Sequence, residues 1–469
     1  MILWIEWYDC IQYLHAACSR TTSAMWMTLC IAAFCSRYDM GGVTSFVRVF
    51  GLQERCYKSM LNCFHSPAIK LDKLTDLWCD LVLKCFTPLL LRDRLVLVGD
   101  GIKVAKEGRK MPAVKKLHQE SQDNAKSEYI FGHSLQSLGL LVTGPFGKIL
   151  AVPLISRIHE GIRFSPKDKR TLLDKFATLF IGVAKRMAQD GCYLVADAYY
   201  ASRKVITPLL AEGHHLICRV RSNAVAYYPA PPKPVKSRGR KKVYGKKVKL
   251  GKLFKQKDQF VEATASLYGK TTTIRYRTLD LLWRPIGVMV RFVLVIDPSK
   301  GKSIFLCTDL SLTALEIITA YSWRFKIEAA FKQAVHTIGA YSYHFWMQMM
   351  TPSSRSKSGD VYLHRESKDY REMVVRKVDA YHRFIQFGCI AQGMLQYLSV
   401  SFGRQVWDRF GSWMRTMNTS QAPSEAVVAT ALRNCLPEFL LDSPKEQTLK
   451  KFILDRIDLR RFWPFGRAA

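Results

Sequence analysis

Two uninterrupted apolar runs, Leu95-Val-Leu-Val-Gly before Asp100 and Cys192-Tyr-Leu-Val-Ala before Asp197, constrain the fold of this chain more than any other feature. A strand with one wet face alternates apolar and polar residues. These runs do not alternate, so both of their faces must be covered, as in the middle of a sheet flanked by helices. Between them, residues 132–142 and 148–155 flank the turn Thr143-Gly-Pro-Phe-Gly147, which reads as a hairpin beside the first strand. An amphipathic helix over Thr171–Ala188, a second over Lys204–Ala211 and a strand over His215–Val220 complete the order β-β-β-α-β-α-β. Its parallel strands are then joined through helices, and the predicted class is α/β with a mixed sheet.

The flanks have a different texture. Residues 1–90 read as an all-helical unit, and within it Gly42–Gly51 followed by residues 52–61 has the order of a helix-turn-helix, with Arg55 and Lys58 exposed to read DNA. After residue 222 the alternation of helix and strand stops. Lys233–Lys257 holds 12 Lys or Arg among 25 residues and no acid, which predicts a flexible basic loop. Strand-like runs follow at 259–267, 272–279, 287–296 and 303–308. The expected organisation is a helical DNA-binding domain at 1–90, a catalytic core at 91–222 and 309–350, a β-rich insertion with its basic loop at 223–308, and a helical region at 351–469.

Charge narrows the partner. The 71 Lys and Arg against 38 Asp and Glu give a net charge of +33, which points to a polyanion, nucleic acid first. An anionic membrane surface is the second candidate, but the uncharged run Ala24–Cys35 has 12 residues against about 20 needed to span a bilayer. The 13 cysteines form no C-x-x-C pair, so a zinc site or disulfide framework is not expected and most should be small buried hydrophobes. With no basic leader and no cleavage site at the N-terminus, the expected location is the cytoplasm, in association with the nucleoid.

A third acid stands out in Tyr321-Ser-Trp-Arg-Phe-Lys-Ile-Glu328-Ala-Ala-Phe-Lys332. Thr313 and Glu316 form a T-x-x-E capping box, so a helix is predicted to start there and to run toward Gly339. At 3.6 residues per turn, Tyr321, Arg324, Glu328 and Lys332 share one face. Alone, such a helix could equally be a surface element with i, i+4 ion pairs. Set beside Asp100 and Asp197 at strand ends, Glu328 completes three hard oxygen ligands in a basic surround. That set suits one or two Mg²⁺ ions acting on phosphodiesters.

The ordered triple Asp100, Asp197 and Glu328, with a β-rich insertion before the last acid, resembles bacterial insertion-sequence transposases of the DDE type with an RNase H-like core. The text around Val98-Gly-Asp-Gly-Ile-Lys-Val-Ala-Lys-Glu-Gly-Arg-Lys-Met-Pro, Val195-Ala-Asp-Ala-Tyr-Tyr-Ala-Ser and Arg219-Val-Arg-Ser-Asn-Ala-Val-Ala-Tyr carries the same resemblance. So do Tyr321, Arg324 and Glu328, which fit the Tyr-x2-Arg-x3-Glu-x6-Lys signature; its Lys falls on Val335, and Lys332 is the nearby substitute. The resemblance implies that the three acids are catalytic and bind two Mg²⁺ ions, or Mn²⁺. It further implies that Tyr321, Arg324, Lys332 and the loop lysines Lys241, Lys242, Lys246 and Lys247 contact DNA. The partners would be double-stranded DNA, both terminal inverted repeats and target, held by a homodimer in the synapsed state, with no membrane partner. Trp283 is the candidate for an insertion aromatic that holds a flipped base. The alternative is a catalytically inactive or domesticated derivative that only binds DNA.

Overall fold

The structure is a computed structural model in which residues 1–119, 127–188, 190–231, 242–444 and 447–461 are described. In chain order the helices are α1 (Ile2–Gln12), α2 (Thr21–Ser36), α3 (Val43–Val49), α4 (Arg55–His65) and α5 (Leu71–Cys85). The central part comprises β1 (Arg94–Ala105), β2 (Tyr129–Thr143), β3 (Ile149–Ile158), α6 (Leu172–Met187), β4 (Cys192–Ala196), α7 (Arg203–Ala211) and β5 (His215–Val220). Then come β6 (Val225–Pro229), β7 (Tyr244–Lys249), β8 (Val261–Leu267), β9 (Lys270–Trp283), β10 (Val288–Asp297) and β11 (Gly301–Cys307). The remainder is α8 (Ala314–Ser322), α9 (Phe325–Gln333), α10 (Lys368–Ser401), α11 (Gly403–Phe410), α12 (Glu425–Asn434), α13 (Leu436–Asp442) and α14 (Thr448–Leu454). The class is mixed α/β with a large mixed sheet and helical N- and C-terminal regions, and the predicted order β-β-β-α-β-α-β is β1, β2, β3, α6, β4, α7, β5.

The chain divides into two compact units, one of residues 1–87, 101–169 and 329–469, the other of residues 88–100 and 170–328. In the second unit the sheet runs β1, β4, β5, β11, β10, β9, β6, β7, with β8 on β9. The pairs β1–β4 and β4–β5 are parallel and β5–β11 is antiparallel, so the sheet changes character where the insertion joins it. All five residues of β4 are buried, as its unbroken apolar run requires. A capping box on Thr171 and Asp174 starts α6, the crossover before β4.

The described part of the basic loop, residues 242–257, is ordered. The stretch predicted as flexible contains β7, paired with β6, and a 3₁₀ segment over Leu250–Lys255. Buried Val248, Leu250 and Phe254 anchor it, so three apolar side chains outweigh the repulsion among exposed Lys242, Lys246, Lys247 and Lys249. Lys241 lies outside the described residues.

The first unit is built around α10, 34 residues long. Its inward face carries glutamines that hydrogen-bond backbone carbonyls: Gln386 Nε2 to Leu154 O at 2.9 Å, Gln392 Nε2 to Ala330 O at 2.9 Å and Gln396 Nε2 to Ala151 O at 3.3 Å. Those bonds meet the demand that a polar group inside a core be paired. Gly393 lets the helix approach Trp78, whose ring would lie 2.3 Å from an added Cβ. Beside it the rings of Phe34, Phe46, Phe64, Phe345 and Tyr343 surround Phe384 at centroid distances of 4.9, 6.2, 5.1, 5.7 and 5.7 Å. Phe384→Ala should therefore cost about 3–5 kcal/mol, read as a lower midpoint in chemical denaturation; a change under about 1 kcal/mol would show that the cluster is not a unit of the core.

Candidate functional site

Strand register brings the first two acids together. In the parallel pair β1–β4, Val98 faces Val195, so two residues on Asp100 and Asp197 occupy equivalent positions and the same side of the sheet. Neighbouring strands lie ~4.8 Å apart. Asp100 does not end its strand, as the sequence suggested; β1 continues to Ala105 with alternating exposure. Asp197 does follow the end of β4, where its Oδ1 accepts from the Tyr199 amide at 2.9 Å and caps a 3₁₀ turn. Tyr200, at the end of that turn, is buried, and its phenol is pushed well up by burial first and by the charges of Asp100 and Asp197 next.

The third acid arrives on a broken helix. The capping box is present, with Thr313 Oγ1 accepting from the Glu316 amide and Glu316 Oε2 accepting from the Thr313 amide at 2.7 Å. The continuous helix predicted toward Gly339 is instead α8, a break at Trp323 and Arg324, α9, and a π-turn over Ala334–Ile338. At the break the amides of Arg324, Lys326 and Ile327 reach back three residues rather than four, which tightens the chain there. The predicted common face is divided in consequence. Tyr321 is 9% exposed and packs on Phe305 with ring centroids 4.5 Å apart, whereas Arg324 pairs with both Asp100 and Glu328.

Arg324 joins two of the acids. Its Nη1 donates to Asp100 Oδ2 at 3.1 Å and its Nη2 donates to Glu328 Oε1, so the two carboxylates stand a guanidinium's width apart. Burial opposes the Arg324 charge, but the Tyr321 phenol, Glu328 and Asp100 together raise its pKa. Burial pushes the Tyr321 phenol up to about 12, with Arg324 and Arg219 working against it, which leaves a neutral hydroxyl. Arg219 follows Cys218, the partner of Ala196, so its backbone lies beside that of Asp197. Lys332 is exposed one turn beyond Glu328 on α9, and Val335 is exposed on the π-turn.

One aromatic at the site had no prominence in the sequence. Tyr268 and Gly269 form the turn between β8 and β9 with φ of 55° and 78°. Non-glycine residues rarely take that conformation, and such strain is concentrated at functional sites. The Tyr268 ring lies 5.6 Å from Phe325 at the start of α9, with Lys300 over its face, and burial pushes its phenol up, Arg324 opposing and Glu328 adding to that shift. Trp283, the candidate base holder, is 7% exposed at the end of β9. Packing inside the insertion claims it, so it cannot serve that role as placed. The only hint of Tyr268 in the sequence was the turn-forming Tyr-Gly between two strand-like runs.

Comparison with known proteins follows the same residues. Residues 169–336 match the family model described as Transposase DDE domain, a span that holds Asp197, Arg324 and Glu328 and begins after Asp100. The match covers 168 of the 469 residues, so the likeness is one of that part of the chain. Among solved structures, a cryo-EM structure of a piggyBac transposase synaptic complex with hairpin DNA is similar over 94% of this chain and 76% of that chain, at 12% identity and a TM-score of 0.39. No curated protein matches. No helix among the described residues is long and apolar enough to cross a membrane.

The cap that starts α8 also carries a pH signature. Arg92 and the Thr313 hydroxyl and amide hold the Glu316 carboxyl down to about 2, Arg92 contributing most. Its folded value lies below the ordinary 4.5, so this stabilisation is present above about pH 4.5 and is lost as pH falls through about 2. Glu316→Gln should therefore lower stability at neutral pH and flatten the stability profile between those values; a profile with wild-type slope there would show that the cap does not contribute.

Proposed function

We propose that this chain is a DNA transposase that cleaves the ends of a mobile element and joins the freed 3′-OH to target DNA, with Asp100, Asp197 and Glu328 as its catalytic acids. The observation that carries this reading is the Arg324 guanidinium held between Asp100 and Glu328, beside an Asp197 in register with Asp100. Asp100 and Glu328 are joined through Arg324, and carboxylates so placed are costly unless positive charge is brought between them. The ion pairs of Arg324 with Asp100 and Glu328 support a reading in which these acids meet a cation. Among the described residues no group of three acidic, His or Cys side chains is close enough to hold a metal in the present arrangement. The donor set nevertheless suits Mg²⁺ or Mn²⁺, because all three ligands are hard oxygens and the competing group is itself a cation. Asp100, Asp197 and Glu328 would hold two such ions, which would polarise the phosphodiester and activate the attacking oxygen.

Both steps are in-line displacements at phosphorus. A water oxygen, or in the joining step a 3′-OH, forms a bond to phosphorus as the opposite P–O bond breaks; its proton leaves to solvent, and the departing 3′ oxygen takes one up from solvent. Arg324 has further N–H groups with which to hold a non-bridging phosphate oxygen. The Tyr321 ring, packed on Phe305, holds α8 against the sheet rather than meeting DNA. Lys332 and the lysines Lys241, Lys242, Lys246 and Lys247 provide phosphate contacts. Two copies acting together on paired element ends, in the cytoplasm, complete the proposal.

Duplex DNA from either side of the gene, incubated with the protein and Mg²⁺, should be nicked at the element ends. Asp100→Asn, Asp197→Asn and Glu328→Gln should each lower the rate by at least about 1000-fold, roughly 4 kcal/mol in barrier, while leaving DNA binding nearly intact. Near wild-type cutting by any of them would remove that acid from the mechanism. Binding without cutting by the unaltered protein would favour an inactive DNA-binding derivative.

The basic segment makes a separate prediction. Changing Lys241, Lys242, Lys246 and Lys247 to Ala should flatten the dependence of log K on log salt by up to about 3.6, at about 0.9 for each neutralised phosphate. Specific and random duplexes should be affected alike, since phosphate contacts carry no base information. An unchanged slope would leave these lysines as a solvated face.

A further inference from the structure

The first unit carries two hollows that share Arg376. One, of 620 Å³, is lined by Lys368, Arg371, Arg376 and Arg383 together with Phe164 and Val375. The other, of 440 Å³, is lined by His65, Arg376 and Lys377 together with Trp346, Met349 and Met373. Both volumes lie in the range of small-molecule sites, about 300–1000 Å³. Trp346 is 63% exposed and Met349 73%, a large apolar surface to leave in water.

The cations here are poorly compensated. Glu372 stands 3.8 Å from Lys368, and Asp379 is half-buried with its carboxyl pushed up by burial. Arg371 Nε is buried with no hydrogen-bond partner. Lys377 donates toward His65 at 3.0 Å, and after burial the charge of Arg376 is what lowers its pKa. His65 is lowered by burial and then by Lys377, Arg376 and Arg383. Arg383 is committed to the carbonyls of Ile69 and Phe64 at 3.1 Å each, so it fixes the floor of the surface rather than meeting a ligand.

We infer that this surface binds single-stranded DNA, with an unpaired base stacked on Trp346 in the smaller hollow and the adjoining phosphates on Arg376, Arg371 and Lys368. Cations alone would suit duplex equally. An exposed indole beside them needs a base face, which a stacked duplex does not offer and a single strand does. An uncharged peptide would use the Trp and Met surface but would leave the Arg and Lys cluster unmatched. The inference rests on the DNA-processing reading above for the origin of such a strand, which strand separation at an element end would supply.

The test uses the full chain, a labelled oligothymidylate and a duplex of equal length, with anisotropy and tryptophan fluorescence as readouts. Oligothymidylate should quench the Trp346 contribution, identified by difference from Trp346→Phe. Trp346→Ala should weaken its binding by roughly 5- to 150-fold, as expected for one stacked base, while Trp346→Phe retains most of the affinity. Arg371→Ala with Arg376→Ala should flatten the salt dependence by about 1.4, at about 0.7 per phosphate of a single strand. Duplex binding and end cleavage should not change. Wild-type oligothymidylate affinity in Trp346→Ala would overturn the inference, and so would equal losses for duplex and single strand, which would make the surface a duplex track. An unchanged salt slope with lost Trp346 quenching would overturn it in favour of a peptide surface. Failure of the unaltered protein to cut element ends, with the Trp346 effect intact, would overturn the transposase reading alone.

Discussion

The arrangement of acids at the candidate site depends on Arg324. Two unit charges 4 Å apart interact by about 4 kcal/mol at the effective dielectric of a protein surface, so carboxylates brought together without a cation would resist the fold that gathers them. Arg324 is placed to remove that resistance, with one nitrogen on Asp100 and the other on Glu328. Its position comes from the break between α8 and α9. In a continuous helix Arg324 would continue the face of Tyr321; with the chain tightened at Trp323, Tyr321 stays in the core against Phe305 while Arg324 reaches the acids. The guanidinium thereby occupies the space between the two carboxylates and neutralises part of their charge.

What was legible in the sequence follows from how local each signal is. The unbroken runs before Asp100 and Asp197 announced central strands because burial on both faces leaves no room for polar alternation, and β1 and β4 pair in parallel as that implies. The T-x-x-E box at Thr313 and the hairpin at residues 143–147 were readable for the same reason: their hydrogen bonds lie within a few residues. The break after Ser322 was not readable. No proline or glycine marks it, and it depends on Tyr321 being held by a strand from the insertion. The order in residues 242–257 was hidden by charge, since Val248, Leu250 and Phe254 are few among many lysines and their burial depends on distant partners.

The aromatic assignments show the same limit from another side. Trp283 attracted attention as a large side chain in the insertion, yet size favours burial as much as exposure, and its place at the end of β9 is in the core. Tyr268 looked ordinary, but it occupies a turn conformation that suits glycine or asparagine and is held there by Phe325 and Lys300. Sequence gives residue type and spacing; it does not give the contact that pays for a positive φ. A tyrosine kept in a strained turn against Phe325 is therefore closer to Arg324 and Glu328 than its ordinary sequence setting suggests. Because the turn belongs to the β-rich insertion and lies against Phe325 at the start of α9, the insertion contributes directly to the surroundings of Glu328.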